Sequence, residues 1–440
     1  MITNIFIFYL RFAFMNLDNF NIGDLVELKT KERTWKGYLL ESYDYEIFLL
    51  KLENGYNIGL RKEEILSGEL IKKNIQPEKK KEVFEKNKNL KNVLVIITGG
   101  TISSRLDPKT GGVISTDAEE LLNMAPEIKN ICNIVKIEKP FMKWSEDMSS
   151  SDWEKLAEVC GKYLNDEKID GIIITHGTDF LHYTASALSF FIKNLNKPIA
   201  LTCSQRSIDR GSTDAHLNLI CAAKYAVNDI AEIALISHED LNDKTCLALP
   251  ATKVRKMHTS RRDTFKAIND SPIARISEKT FEILKDFEPR DNRKEVKIDS
   301  KFNDKVAVIK IVPGQDPSIL DYYQENGYKG IILEVTGIGQ VPGKDGKYNW
   351  LPKLKKLSES GTCIFAVAQT INGRLNPNVY SKGREIEKTG VIYLEDMLSE
   401  TAFVKLGWIL GHKAWYYDPA KIKEKMLENI SHEFNTKIGF

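Results

Sequence analysis

The chain has 440 residues with 63 basic against 61 acidic side chains, a formal charge of only +2. That length suits about two to three domains at roughly 100–200 residues each, and the near-neutral balance excludes nucleic-acid binding through bulk charge, leaving local patches only. The six cysteines, Cys132, Cys160, Cys203, Cys221, Cys246 and Cys363, form no C-x-x-C pair and have no histidine at zinc-ligand spacing; a disulfide framework and a structural zinc site are therefore not expected, and the compartment reads as reducing and cytoplasmic.

Residues 1–15 open with the apolar run MITNIFIFYLRFAF. It is shorter than the about 20 residues a spanning helix needs and lacks a small-residue cleavage site. With Met15 following at once, it reads as an upstream extension from a mis-assigned start, and no membrane association is expected. Residues 16–75 alternate apolar and polar positions, with turn signals at Gly23, Gly37, Asn54-Gly55 and Gly59. This pattern predicts a small all-β barrel of short, strongly bent strands, which binds or positions something, since it holds no cluster of catalytic residue types. Residues 76–90 (QPEKKKEVFEKNKNL) are charged throughout and read as a solvated linker.

From residue 91 the character changes. VLVIITGG, GIIITHGTD, KPIALTCSQ and EIALISH are short runs, apolar on both faces, separated by helix-periodic text such as SDWEKLAEVCGKYL. The alternation predicts an α/β fold with a parallel sheet covered on both sides. A polar break at 287–305 divides it into a larger domain, 91–286, and a smaller one, 306–440, where VAVIKIVPG, GIILEVTGIGQ and CIFAVAQT resume the pattern. The break is expected to hold the two at a fixed angle.

Ligands of open α/β sheets bind at the carboxyl ends of strands, so the residues that follow each apolar run carry the functional reading. The first run ends in Thr98-Gly99-Gly100-Thr101-Ile102 and the second in His176-Gly177-Thr178-Asp179. Both set a hydroxyl beside glycines, which allow close backbone approach and offer amide donors to a developing oxyanion. A T-G-G-T turn alone is commonly just a tight strand-to-helix connection; the pairing of the two at equivalent strand ends is what points to chemistry. A threonine hydroxyl needs a nearby base at neutral pH, and the loop 253–263 (KVRKMHTSRRD) supplies Lys256, with Asp179 placed to adjust its basicity or to grip a cationic amino group. His176 and His258 read as orienting hydrogen-bond partners. His182, His216, His238, His412 and His432 lack any metal-ligand constellation and read as structural. The glycines of GIGQVPG (337–343) lack the lysine-hydroxyl ending of a phosphate loop and read as a turn at a domain interface.

Together, T-G-G-T-I, H-G-T-D and the downstream lysine resemble the bacterial-type asparaginase family of threonine-dependent amidohydrolases. The stretches 176–191, 204–219, 254–270 and 378–410, together with the preceding barrel, are most similar to one branch, the glutaminase subunits of archaeal glutamyl-tRNA(Gln) amidotransferases. The resemblance covers nearly everything from Ile22 onward. It implies the two-domain asparaginase-like fold, with Thr101 as nucleophile, Thr178 and Asp179 as second threonine and acid, and Lys256 completing a Thr-Asp-Lys relay. It further implies substrate contacts from Gly100, Ser145, Glu146 and Gly177. The wider family commonly carries a tyrosine in the loop after its first threonine; SSRLDPKTGGV (103–113) has none. The implied reaction is glutamine hydrolysis through an acyl-enzyme. Its ammonia would pass to a partner subunit that uses ATP and Mg2+ to convert Glu-tRNA(Gln) to Gln-tRNA(Gln), with no metal or cofactor in this chain. The implied assembly is a homodimer core in a heterotetramer, with tRNA(Gln) held mainly by the partner. The competing expectation is a free-standing cytoplasmic L-asparaginase or glutaminase.

Overall fold

The computed structural model describes residues 20–40, 42, 44, 46–54, 56–74, 87–106, 113–115 and 125–435. The leader before Met15, most of the charged linker and residues 107–112 of the loop after Thr101 lie outside these. The chain forms two compact units, described in turn.

The N-terminal unit is a five-stranded antiparallel sheet built from β1 (Leu25–Thr30), β2 (Thr34–Leu40), β3 (Ile47–Leu52), β4 (Asn57–Arg61) and β5 (Ile65–Lys72), in the order β4-β3-β2-β1-β5. Alternation drives it: Val26, Leu28, Leu39, Leu50, Leu60 and Ile65 point to one side and form the buried core. Register shifts between Leu25 and Val26 and between Lys29 and Thr30 bend the β1–β5 ladder. The Asn54 turn joins β3 to β4, with Tyr56 N–H donating to Asn54 Oδ1 at 3.1 Å.

The larger unit holds an eight-stranded sheet and a four-stranded sheet. In the larger sheet, Asn92–Ile97, Gly171–Thr175, Ile199–Thr202 and Ile233–His238 are the four apolar runs of the sequence. They pair in parallel, with Ile97 opposite Thr175 and Thr175 opposite Thr202. Core residues fill both faces: Ile96, Ile172 and Ile174 on one, Val95, Ile97 and Ile173 on the other. The sheet extends beyond the parallel strands expected from sequence. Asn133–Glu138 adds a parallel edge, and Cys246–Pro250, Ala274–Ile276 and Phe281–Ile283 add antiparallel strands at the opposite end. The four-stranded sheet is parallel, in the order Val306–Lys310, Gly330–Val335, Cys363–Ala368, Ile392–Tyr393.

The polar stretch 287–305 is pinned rather than loose. Lys297–Ile298 pairs with Ile192–Lys193, and Phe302 lies so close to Gly407 that a Cβ there would meet its ring at 2.1 Å. In the glycine-rich turn 337–343, Tyr393 donates its hydroxyl proton to Gly339 O at 2.7 Å. All six cysteines are buried free thiols.

Candidate active site

The two adjacent strands Asn92–Ile97 and Gly171–Thr175 end at the same level, so their turns meet. Thr98 donates from both its amide (3.1 Å) and its hydroxyl (2.9 Å) to Thr175 O. Beyond it the backbones touch: a Cβ on Gly100 would stand 2.3 Å from Gly177 Cα. Gly99 and Gly100 take φ of 109° and 77°, a region L-residues avoid. Thr101 and Thr178 each follow one of these contacting glycines, which brings the two threonines to one mouth. Thr101 is half-buried, and its hydroxyl makes no hydrogen bond to any other described residue; Thr178 is buried. The amides of Gly100, Thr101, Gly177 and Thr178 likewise have no backbone partner among the described residues, leaving donors uncommitted at this mouth.

Lys256 reaches in from the short strand Val254–Lys256. Its Nζ lies 2.9 Å from Thr178 Oγ1 and 2.8 Å from Asp179 Oδ1. Its side chain is largely covered, while that of Asp179 is more than half exposed. Thr178, Asp179 and Lys256 therefore form one hydrogen-bonded group, with Thr101 beside it rather than bonded into it.

The turn 143–148 completes the mouth from below. Lys143 N–H donates to Thr98 O at 2.9 Å, and Lys143 Nζ binds both Asp152 oxygens at 2.8 and 2.9 Å. Burial alone would raise the Asp152 carboxyl, but Lys143 and the Ser149 amide outweigh it and hold the group below its usual range. So anchored, buried Ser145 accepts the Asp179 amide on its Oγ at 3.1 Å, and that oxygen would stand 2.6 Å from a Cβ on Gly177. Ser145 and Gly177 thus stand against the Thr-Asp-Lys group. Glu146, the next residue, is exposed at its edge.

The two motif histidines organise backbone. Burial drives His176 down to about 4, so it is neutral at physiological pH. Since Gly177 O only accepts, Nδ1 carries the proton and donates to it at 2.7 Å. Nε2 then accepts from the Thr184 hydroxyl (2.9 Å), whose oxygen accepts Trp153 Nε1–H (3.0 Å). His258 Nδ1 accepts the amides of Ser260 and Arg261, fixing the loop after Lys256. Neither ring contacts the Thr-Asp-Lys group. Sequence reasoning missed the partners that hold this loop: Asp396 on Lys253 and Glu400 on Arg255. Both lie more than 140 positions downstream, where no local signal links them. No cluster of three His, Cys, Asp or Glu that could hold a metal ion occurs among the described residues.

Comparison with known proteins gives the family. Residues 92–288 match the N-terminal asparaginase domain, 305–426 the glutaminase/asparaginase C-terminal domain, and 20–71 the GatD N-terminal domain. The D subunit of glutamyl-tRNA(Gln) amidotransferase from Thermococcus kodakarensis is 43% identical, covering 97% of each chain. That of Methanococcus maripaludis strain C6 is 41% identical over 95% of this chain and 99% of its own. The chain belongs to the D-type family of glutamyl-tRNA(Gln) amidotransferase subunits. Among solved structures, the thermostable L-asparaginase of Thermococcus kodakarensis aligns with a TM-score of 0.69 at 29% identity, covering 79% of this chain and all of its own. L-asparaginase I of Vibrio cholerae gives 0.67 at 27%, over 79% and 99%. The chain shares the asparaginase-like α/β fold of these solved structures, and the amidotransferase relatives also align over the N-terminal sheet, which is an open-ordered five-stranded sheet rather than the barrel expected from sequence.

Proposed function

We infer that this chain is the glutaminase component of a glutamyl-tRNA(Gln) amidotransferase, releasing ammonia from glutamine for a partner subunit that amidates Glu-tRNA(Gln). The observation that carries the reading is the Lys256–Thr178–Asp179 group, set against the Gly100–Gly177 contact in a chain that matches an amidotransferase relative over 97% of its length.

Thr101 is assigned the attack because its half-buried hydroxyl makes no hydrogen bond to any other described residue. Its oxygen adds to the side-chain carboxamide carbon of glutamine, and its proton passes to the Thr178–Lys256 relay. The uncommitted amides around Gly100 and Thr101 receive the oxyanion. Collapse of the tetrahedral species breaks the C–N bond, the relay returns a proton to the leaving nitrogen, and ammonia departs. Water, activated by the same relay, then hydrolyses the ester to free glutamate and Thr101. Ser145, Glu146 and the backbone at Gly100 and Gly177 hold the substrate's α-carboxylate and amino group, with Asp179 available to the cation.

ATP and Mg2+ are assigned to the partner, as is most of the contact with tRNA(Gln). The assembly is a homodimer of this chain with two partner chains, acting in the cytoplasm. No helix among the described residues is long and apolar enough to cross a membrane. The free-standing asparaginase reading is disfavoured because the solved asparaginases cover 79% of the chain and the amidotransferase relatives 95–97%. Ammonia release is to be measured for the chain alone and with its partner plus Glu-tRNA(Gln). Glutamine turnover should rise with the complex, and vigorous partner-independent hydrolysis of asparagine would overturn the assignment.

A further inference from the structure

The residues leading into the strand that presents Lys256 are held largely by one distant stretch, residues 396–401, with Ser431 O also accepting the Thr252 hydroxyl at 2.9 Å. Thr252 O accepts the Thr401 hydroxyl at 2.8 Å. Lys253, wholly buried, places Nζ 2.9 Å from Asp396 Oδ2 and 3.0 Å from Asp396 O. Arg255 Nε stands 3.0 Å from Glu400 Oε1. Three contacts thus fall on three of the four residues before Lys256.

Glu400 is the second residue of the helix Ser399–Leu410 and is only 6% exposed. Burial pushes its carboxyl above the usual range, opposed by Arg255 and by its own amide at the positive helix N-terminus. The same Oε1 lies 3.8 Å from Nε2 of His182, and its second oxygen has no hydrogen-bond partner among the described residues. The His182 ring sits 4.8 Å from that of Tyr183 and 6.3 Å from that of Phe265, and Phe265 is paired with Lys256 in the two-stranded ladder. Glu400 therefore touches the support of Lys256 from both directions, through Arg255 and through the aromatic group behind it.

Buried ion pairs seldom repay their desolvation as stability; register is their best-attested use. Register matters acutely here, because sliding a strand by one residue turns every side chain to the opposite face. Resting on the glutaminase reading above, we propose that Glu400 through Arg255, and Asp396 through Lys253, are positioning residues that hold Lys256 Nζ against Thr178 and Asp179. They act on the reaction without touching substrate, and they make the smaller sheet's trailing segment part of the catalytic apparatus.

The test uses the full chain assembled with its partner and tRNA, in Glu400→Gln, Arg255→Gln and Arg255→Lys forms. One readout is kcat against KM for glutamine. The other, needing no turnover, is the rate at which an amine-selective acylating reagent labels Lys256 relative to exposed lysines, followed by mass spectrometry. A displacement of about 1 Å costs on the order of 100-fold in rate. Glu400→Gln and Arg255→Gln should accordingly lower kcat by roughly 10- to 100-fold with KM held within about twofold, and Lys256 should become markedly easier to label. Arg255→Lys, which keeps a cation within reach of Glu400, should restore most of both. Unchanged kcat and labelling in a folded Gln variant would overturn the proposal, as would an Arg255→Lys form as impaired as Arg255→Gln. Should Glu400→Gln not fold, the two Arg255 variants decide alone. If the parent fails to hydrolyse glutamine, the functional reading falls while the labelling still tests the clamp.

Discussion

At the site, the residues divide into those proposed to react and those that hold the turns in register. Gly100 belongs to the second kind. An added Cβ would meet the Gly177 backbone at 2.3 Å, with no flexible side chain to yield, and the backbone at φ 77°, ψ −178° lies in a region essentially only glycine occupies, costing another residue about 1–3 kcal/mol. Gly100→Ala should therefore separate the two turns and reduce glutamine turnover by at least about 100-fold, read in a steady-state ammonia assay. Thr101 and Thr178 make different predictions: the assignment of attack to Thr101 requires that quenching during turnover leave a glutamyl ester on the peptide containing Thr101. An ester on the Thr178 peptide would reverse the order of the two hydroxyls.

His176 carries a pH signature. It titrates at about 4 in the fold against 6.5 ordinarily, chiefly because burial opposes its charged form. Its stabilising contribution is complete above pH 6.5 and is lost as pH falls from there toward 4, because the unfolded chain takes up a proton the folded one refuses. The loss amounts to roughly 3 kcal/mol at the acid end. His182, driven down to about 3 mainly by burial, adds to the same trend. Thermal midpoints measured from pH 8 to pH 4 should fall below 6.5, and His176→Asn should flatten part of that slope. An unaltered slope in that variant would mean that other groups set the acid limit.

Among the elements, the helix Ser399–Leu410 does more than cover the sheet. Lys405, within it, is fully buried against Glu433 at 2.5 Å and also donates to Met426 O at 2.9 Å, tying the C-terminal tail to the helix. Removing one partner leaves an uncompensated buried charge. Lys405→Met should cost about 3–5 kcal/mol, and the double change Lys405→Met with Glu433→Leu should cost less than the single one; denaturant titration of the three proteins measures both. The elements also separate what sequence could reveal from what it could not. Four central strands read plainly because every residue but Asn92 is buried, leaving nearly unbroken apolar runs. Asn133–Glu138 escaped because, as an edge strand, it buries only Asn133, exposes Val135 and Lys136 and leaves Ile134, Ile137 and Glu138 half-covered. Cys246–Pro250 escaped because it is a short antiparallel return without a helix before it. At the site, the turn residues beside glycines were legible from the pairing of two such turns at equivalent strand ends. Lys253–Asp396 and Arg255–Glu400 were not, because ion pairs joining distant segments carry no periodicity.

For the whole molecule, the near-zero net charge fits a chain that generates ammonia while another holds the nucleic acid. The Lys256–Thr178–Asp179 group, the backbone donors beside it and its anchors all lie in one compact unit, and the five-stranded N-terminal sheet contributes no member of the group. This division predicts that the chemistry and the use of its product are separable. The most direct measurement is amidation of Glu-tRNA(Gln) by the full chain with its partner and ATP, supplied with either glutamine or ammonium chloride. The parent should use both nitrogen sources, whereas Lys256→Met should lose glutamine-dependent amidation and keep the ammonium-dependent reaction. Glutamine-dependent product from Lys256→Met at the parent's rate, or no glutamine-dependent product from the parent itself, would contradict the account.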